Sequence, residues 1–336
     1  MAFAILGVLF THANNDFGWF PFNRLAMLGY GGVDVFFFLS GFGLYFSCLR
    51  GQGARRFYAK RLARIYPAYL AALAVDTCVR GGTDPLLFLK KASTLGFWLP
   101  GAWGWGMFAW FVSAILVFYL LFPPFFALLR RSAAGALTVA AGLTLALCGA
   151  YAYHCFVVNP GSYNPLILAF ARVPVFALGA FFAHAATCPG RYAFLGRRSA
   201  AWTLVAVAAG AFAALNALLN RYEYFDLRNC GLLYLPFALV VPGFCVAAAA
   251  MLSRLPAGVN RLLAFVGGIT LETYLLLGLF TARKAWFVAA AGGNATAGTL
   301  LMMGANLLAG WLLHVLVERG RKAVHAVAER RHRTEN

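Results

Sequence analysis

The sequence predicts an all-α polytopic membrane protein with about ten transmembrane helices. Of its 336 residues, 62% are hydrophobic and only 11% are charged, and the mean hydropathy is +0.75. A soluble domain of this size would need far more polar surface. In addition, apolar runs of about 20 residues recur along the chain, which is the length that an α-helix needs to cross the hydrocarbon core. Such runs fold as helices because lipid offers no water to backbone amides and carbonyls.

The predicted spans begin with a run at 2–13, which is too short to cross the bilayer alone. It has neither a basic region before it nor a small-residue cleavage site after it, so no cleavable signal peptide is expected. The other nine spans are predicted at 29–49, 65–80, 107–129, 133–154, 166–186, 200–220, 231–252, 262–281 and 297–317.

Two of the connections between spans are rich in aromatic residues. Residues 14–28 form a predicted interfacial loop, and residues 81–106 form a long connection with many glycines and tryptophans. The tryptophans of this second connection suit a bilayer interface or a re-entrant loop. They are Trp98, Trp103 and Trp105.

The distribution of positive charge predicts the orientation of the chain. The net charge is +18, with 28 Lys and Arg in all. If the N-terminus lies in the cytoplasm, roughly two thirds of these cations fall on the inner side, as the positive-inside rule requires. The pairs at 90–91 and 283–284 run against it. The cations of the cytoplasmic loops are expected to set the orientation and to contact anionic lipid. We therefore predict N-in and C-in ends, with 1–317 as a single transmembrane domain and 318–336 as a basic cytoplasmic tail.

Ionisable side chains at membrane depth cost roughly 2.5 kcal/mol or more on insertion scales, so each needs a partner or a function. His12 ends the run FAILGVLFTH, and a neutral imidazole is the natural general base near neutral pH. The alternative is an interfacial histidine that caps a helix end. Asp34 lies early in the second span, before a predicted Ser-Gly-Phe turn at 40–42. It could orient His12, pair with an arginine, or gain from the helix dipole.

Two further ionisable residues lie in later spans. Arg172 opens the sixth span, where a proline and a glycine would loosen the helix and let the guanidinium reach a cavity. The alternative is snorkelling to the outer interface. Glu272 lies deeper, and a structural pairing with an arginine such as Arg172 is expected rather than a chemical role. His154 and His314 lie near span ends and are interpreted as interfacial.

The block RRFYAKRLARIYP at 55–67 is a dense cationic cluster. Lys60 and Arg64 are four residues apart and Arg61 and Arg64 are three apart, so a helix presents them together. Such a cluster suits a phosphorylated ligand on the cytoplasmic side, because arginine forks grip phosphate oxygens. The alternative is an ordinary positive-inside loop.

Several other site classes have no motif here. HExxH and other paired His/Asp spacings are absent, so no metal site is predicted. There is no Walker or GxGxxG phosphate loop, and no GxSxG motif of an α/β-hydrolase. The seven cysteines are scattered without a CxxC pair and are interpreted as small hydrophobes. The positions of the cations do not suit nucleic acid.

Seven motifs follow one another almost from end to end. They are His12 at the end of the first span, GGVDVFFFLSGF, FYAKRLARIYPAY, WFVSAILVFYLLFP, ARVPVFALG, FVGGITLETYLL and LLHVLVERGRK. In this order the chain resembles the bacterial membrane-bound acyltransferase-3 family, which includes O-acetylases of surface glycans. Three positions depart from the family pattern. Lys60 stands in place of an arginine, Leu277 stands where a histidine is common, and the arginine that the family carries about ten residues before its histidine would fall at or before Met1.

The resemblance implies transfer of an acyl group, usually acetyl, from cytoplasmic acyl-CoA to a hydroxyl of a cell-surface glycan or lipid-linked sugar at the inner membrane. It implies His12 as the base that activates this hydroxyl, with Asp34 as a second catalytic residue. Lys60, Arg61 and Arg64 would hold the coenzyme A phosphates. Acyl-CoA is a substrate here, and no permanently bound cofactor is expected. The residues that would line or brace the central cavity are Asp34, Ser40, Trp110, Ser113, Tyr119, Arg172 and Glu272.

Two other functions stay open from the sequence. A transporter or flippase for a lipid-linked sugar would use the intramembrane His, Arg and Glu as a relay or substrate site. The dense basic block and the absence of a detectable repeat favour the acyltransferase over it. An inactive relative of the family is the other alternative.

Overall fold

A computed structural model of the protein is helical over 86% of the residues that it describes. It describes residues 1–12, 26–51, 53–82, 84–98, 109–160, 162 and 165–334, apart from the side chains of 109 and 324–334, and these residues contain no strand. Most of the predicted loop 14–28, with Trp103 and Trp105, lies outside them. The helices are α1 (Ala2–Thr11), α2 (Gly32–Leu49), α3 (Ala54–Val79), α4 (Pro85–Ala92), α5 (Ala109–Arg131), α6 (Ala133–Tyr153), α7 (Leu166–Phe170), α8 (Val173–Thr187), α9 (Pro189–Tyr192), α10 (Arg198–Arg221), α11 (Tyr224–Asn229), α12 (Phe237–Leu252), α13 (Ala257–Gly268), α14 (Thr270–Thr281), α15 (Lys284–Ala290) and α16 (Ala295–Thr334).

The all-α membrane fold is confirmed. Among the described residues, seven helical stretches are long and apolar enough to cross a membrane, and α13 with α14 forms an eighth if this pair, bent by 66°, counts as one span. Helices α1 and α12 are shorter and apolar. The number of crossings and the N-in, C-in orientation stay predictions. The seven stretches are Leu28–Leu49, Ala54–Val79, Trp110–Arg131, Ala133–Val158, Leu166–Thr187, Arg198–Arg221 and Ala295–Ala323.

The third predicted span, 65–80, starts later in the sequence than the helix that the structure shows. Helix α3 begins at Ala54, so the basic block forms its first turns and not a loop. Gly51, with φ +66°, interrupts the helical backbone just before α3. The Ala, Arg and Lys residues that follow it are good helix formers. Pro67 lies inside α3 and does not end it.

Other predicted spans have breaks or different ends. The sixth span is divided into α7 and α8 at Ala171 and Arg172, because Pro174 lacks the N–H that would continue the hydrogen-bond ladder. The span predicted at 231–252 starts as a helix only at Phe237, after a turn in which Gly231 has φ +80°. Helix α16 continues to Thr334, past the predicted end at 317.

The chain forms two compact units. The first unit contains Met1–Leu28, Ala59–Val112 and Leu262–Asn336. The single-domain interpretation of 1–317 stays a prediction. The apolar core of this unit lies where α3, α14 and α16 meet. The buried residues of this core are Ala72, Leu276, Leu279 and Leu313.

The second unit contains Gly29–Tyr58 and Ser113–Arg261. Helices α2 and α8 pack backbone to backbone in it, because a Cβ on Gly41 would overlap the carbonyl oxygen of Phe176 and one on Gly179 would overlap that of Phe38. The turn predicted at 40–42 is therefore wrong. The glycine there permits close helix packing, as small residues do in membrane bundles.

Candidate active site

His12 is the C-cap residue of α1 in the first unit, and its side chain is half-buried. Its Nδ1 lies 2.8 Å from the carbonyl oxygen of Val8, one turn earlier. A carbonyl oxygen only accepts hydrogen bonds, so Nδ1 is the protonated nitrogen, and Nε2 of the neutral ring carries the lone pair. Thr11 fixes this helix end, since its hydroxyl donates to the carbonyl of Ala26 over 2.8 Å.

The three cations predicted to hold phosphate lie on α3, also in the first unit. Lys60 and Arg64 are exposed, whereas Arg61 is half-buried. Arg61 lies one turn after Phe57 and one turn before Ile65. The side chains of Phe57 and Ile65 are both buried. A helix does present the cations near one another, as predicted. However, Arg61 lies on the packed face of α3, whereas Lys60 and Arg64 lie at the exposed edge of that face.

Asp34 and Arg172 form a buried ion pair in the second unit. Asp34 is 0% exposed and Arg172 is 2% exposed. The Arg172 Nε lies 3.4 Å from Asp34 Oδ1, and Nη2 donates to Oδ2 over 3.4 Å. Of the roles left open for Asp34, pairing with an arginine is the contact observed, and its catalytic role stays a prediction. Snorkelling of Arg172 to the interface is contradicted, because the guanidinium is buried.

The rest of the Arg172 environment is built from contacts that the sequence patterns did not indicate. Its Nη1 donates to the carbonyl oxygen of Leu168 over 2.7 Å, and its guanidinium carbon lies 4.3 Å from the ring centroid of Tyr234. The Tyr30 hydroxyl donates to Leu233 over 2.9 Å, and the ring of Tyr30 meets that of Tyr234 edge-on. A cation held by a carboxylate, a carbonyl and an aromatic face is well compensated for burial.

The predicted pairing of Glu272 with an arginine is wrong. Glu272, which is 6% exposed, accepts a hydrogen bond from His314 Nδ1 over 2.9 Å. This contact joins α14 to α16 within the first unit. The sequence predicts His314 to be interfacial, and nothing in its local sequence indicates a partner 42 residues away. A carboxylate that accepts from Nδ1 leaves Nε2 of a neutral imidazole unprotonated.

The remaining candidate residues lie on α2 and α5. Ser40 is half-buried on α2, beside the Gly41 packing contact. On α5, Trp110 is buried against Phe97 and Phe111 of the first unit, and Ser113 and Tyr119 are buried in the second. Of the predicted site residues, Asp34 and Arg172 are in contact within one unit. The functional roles of all the predicted site residues stay predictions.

No group of three or more His, Cys, Asp or Glu side chains that could hold a metal ion occurs in the described part of the chain.

Taken together, these features define a polytopic α-helical membrane protein with buried ionisable groups and a cationic helix end. Comparison of the sequence identifies it more closely. The chain belongs to the acyltransferase-3 family, whose model, described as an acyltransferase domain, matches residues 2–315. This confirms the resemblance given by the seven motifs.

One curated relative supports the same grouping. The acyltransferase MdmB of Streptomyces mycarofaciens is 32% identical over 125 residues, which cover 32% of this chain and 31% of MdmB. The match thus spans about a third of that relative. No solved structure matches the chain.

Proposed function

We propose that the protein is an integral membrane O-acyltransferase of the inner membrane. It would transfer an acyl group, in the simplest case acetyl, from cytoplasmic acyl-CoA to a hydroxyl of a cell-surface glycan or lipid-linked sugar. Membership of the acyltransferase-3 family supports acyl transfer as the reaction class. The observation that carries the assignment of the base is the contact of His12 Nδ1 with the Val8 carbonyl at 2.8 Å.

This contact suits His12 for general-base catalysis. With Nδ1–H held by a backbone acceptor, the Nε2 lone pair has a fixed direction and can accept the proton of the acceptor hydroxyl. The hydroxyl oxygen then bonds to the thioester carbonyl carbon, and the carbon–sulfur bond breaks. Coenzyme A leaves as a thiolate and takes up the proton from the imidazolium, so the products are the ester, free thiol and neutral His12.

The charges on α3 support the choice of donor. Lys60 and Arg64 are exposed at the start of this helix, where they would bind the phosphates of coenzyme A as the predicted cytoplasmic patch. Arg64 can form two parallel hydrogen bonds to a phosphate, while Lys60 provides a point charge. Arg61, on the packed face, is expected to contribute less to phosphate binding.

The proposal is tested by acyl transfer in membranes. Membranes that contain the wild type, His12→Ala or His154→Ala at equal protein level receive radiolabelled acetyl-CoA, and the extracted surface glycan is counted. His154 is exposed and serves as the matched control. We expect label with the wild type and His154→Ala, and a loss of at least about 100-fold with His12→Ala. Equal labelling by all three would refute the role of His12, and no labelling by any of them would refute acetyl transfer to the surface glycan.

A further inference from the structure

Two buried polar side chains in the first unit have no hydrogen-bond partner in the part of the chain that the structure describes. Asn306 on α16 is 0% exposed, and neither its Oδ1 nor its Nδ2 is paired. Thr273 on α14 is also 0% exposed, and its Oγ1 is unpaired. Amide and hydroxyl groups removed from water without a partner are destabilising, so such groups in a native protein need an explanation.

The two residues belong to one helix contact. Thr273 packs against Gly310, because a Cβ at that glycine would overlap Thr273 Oγ1. Asn306 precedes Gly310 by four residues, so it lies on the same face of α16, roughly 6 Å away. His314, which contacts Glu272, follows Gly310 by another four. We call Thr273 and Asn306 the polar pair.

Local satisfaction is available to such residues and is used elsewhere in this chain. The hydroxyls of Thr144 and Thr203 each donate to the carbonyl four residues earlier. Asn216 on α10 likewise donates to Phe212 over 3.0 Å. In the described structure the polar pair makes no such bonds, so both side chains keep their hydrogen-bonding capacity at a buried position.

The depth of the polar pair argues for an uncharged ligand. Asn306 lies eleven residues into the span Ala295–Ala323, which is roughly 17 Å along the helix and near the middle of a bilayer. A primary amide offers both a donor and an acceptor, and a hydroxyl adds one of each. The complementary ligand group is therefore neutral and itself both donates and accepts.

We propose that the polar pair is a ligand-binding site of the acyltransfer reaction and takes such a neutral group. This rests on the proposed function, whose substrates supply two groups of this chemistry: the amides in the pantetheine arm of acyl-CoA and the hydroxyls of the acceptor. Entry requires α14 to move away from α16. The break at Ile269, preceded by Gly267 and Gly268, gives α14 a pivot one turn before Thr273.

The test compares Asn306→Leu and Thr273→Val with Asn216→Leu in detergent-solubilised protein. The first measurement is the unfolding temperature without ligand. The second is the rise in that temperature with coenzyme A, which follows the fraction bound. The third is the KM for acetyl-CoA and for the acceptor. Asn216→Leu is the matched control, because it removes a paired asparagine from a membrane helix.

The polar-pair variants are expected to keep or gain stability but to bind substrate more weakly. Replacing an unpaired buried amide with an apolar group should leave the unfolding temperature unchanged or raise it, whereas Asn216→Leu should lower it. Both polar-pair variants should raise one KM by about tenfold, as the loss of one hydrogen bond does. A higher KM for acetyl-CoA with a smaller coenzyme A shift identifies the pantetheine amide. A higher KM for the acceptor alone identifies a hydroxyl.

A lower unfolding temperature for Asn306→Leu, with both KM values and the coenzyme A shift unchanged, would overturn the proposal and leave the pair a structural role. Failure of the proposed function gives a different result. If the wild type transfers no acyl group, the unfolding temperatures with and without coenzyme A still test whether the polar pair is a binding site. The acceptor hydroxyl then falls with the proposed function, and the pantetheine amide is the ligand still tested. A shift that is lost in Asn306→Leu supports the site, and a shift that is absent from the wild type or retained in Asn306→Leu refutes it.

Discussion

The buried pair of Asp34 and Arg172 leads to a prediction about stability. Asp34→Asn removes the carboxylate charge and leaves the guanidinium, which is 2% exposed, without its counter-ion. At 3.4 Å and an effective dielectric constant of about 20, the attraction of two unit charges is about 5 kcal/mol. Removing one partner of a buried pair typically costs about 3–5 kcal/mol. We expect Asp34→Asn to lower the free energy of unfolding by about 3 kcal/mol.

The matched control is Asp76→Asn, which breaks the pair between Asp76 on α3 and Arg80, the residue that follows this helix. This pair is shorter, at 2.8 Å, but its side chains are 52% and 27% exposed. Pairs of this kind contribute about 0.5 kcal/mol or less. Burial therefore outweighs distance, and the buried pair should contribute several times more than the exposed one.

The assay is unfolding of the purified protein by SDS titration in mixed micelles, followed by loss of helical circular dichroism. The variants Asp34→Asn, Arg172→Met and their double mutant complete a cycle. We expect the double mutant to cost clearly less than the sum of the single changes, by about 2 kcal/mol. If Asp34→Asn costs no more than Asp76→Asn, or if the single effects simply add, the pair is not the stabilising contact described above.

Two further predictions concern packing and donor binding. Gly310→Ala should lower the free energy of unfolding by about 1–3 kcal/mol through overlap with Thr273. Gly304→Ala on the same helix, where nothing lies within 4 Å of the added Cβ, should be neutral or stabilising, and equal effects in the SDS titration would exclude the packing explanation. The double change Lys60→Ala/Arg64→Ala should raise the KM for acetyl-CoA about tenfold, while the exposed Arg254→Ala should not. An unchanged KM in steady-state assays would move the phosphate site elsewhere.

Hydropathy predicted the helices well because it depends on local composition. Each predicted span falls on an apolar helix or helix pair of the described structure. The errors are at the ends and breaks. The break beside Arg172 and the early start of α3 depend on single proline, glycine and arginine residues. Hydropathy averaged over a window of residues is not sensitive to single residues.

The partners of buried charges could not be assigned from local patterns. Asp34 and Arg172 are 138 residues apart in sequence, and Glu272 could equally have met any cation on a neighbouring helix. Its actual partner is His314, one of the two histidines that the sequence predicts to be interfacial. The motif order indicated the family, yet the choice among partners depends on the register of packed helices. Gly41 and Gly310 set that register by close contact, which spacing alone does not reveal.

The role of His12 as the base is tested most directly by kinetics of the purified protein in lipid nanodiscs. Release of the coenzyme A thiol is followed at saturating acetyl-CoA and acceptor for the wild type, His12→Ala and His154→Ala. If Nε2 of His12 accepts the hydroxyl proton, kcat of His12→Ala falls by about 10²–10⁴, while the KM for acetyl-CoA changes little and His154→Ala matches the wild type. A His12→Ala protein that is folded and keeps a kcat within about threefold of the wild type would contradict general-base catalysis by this residue.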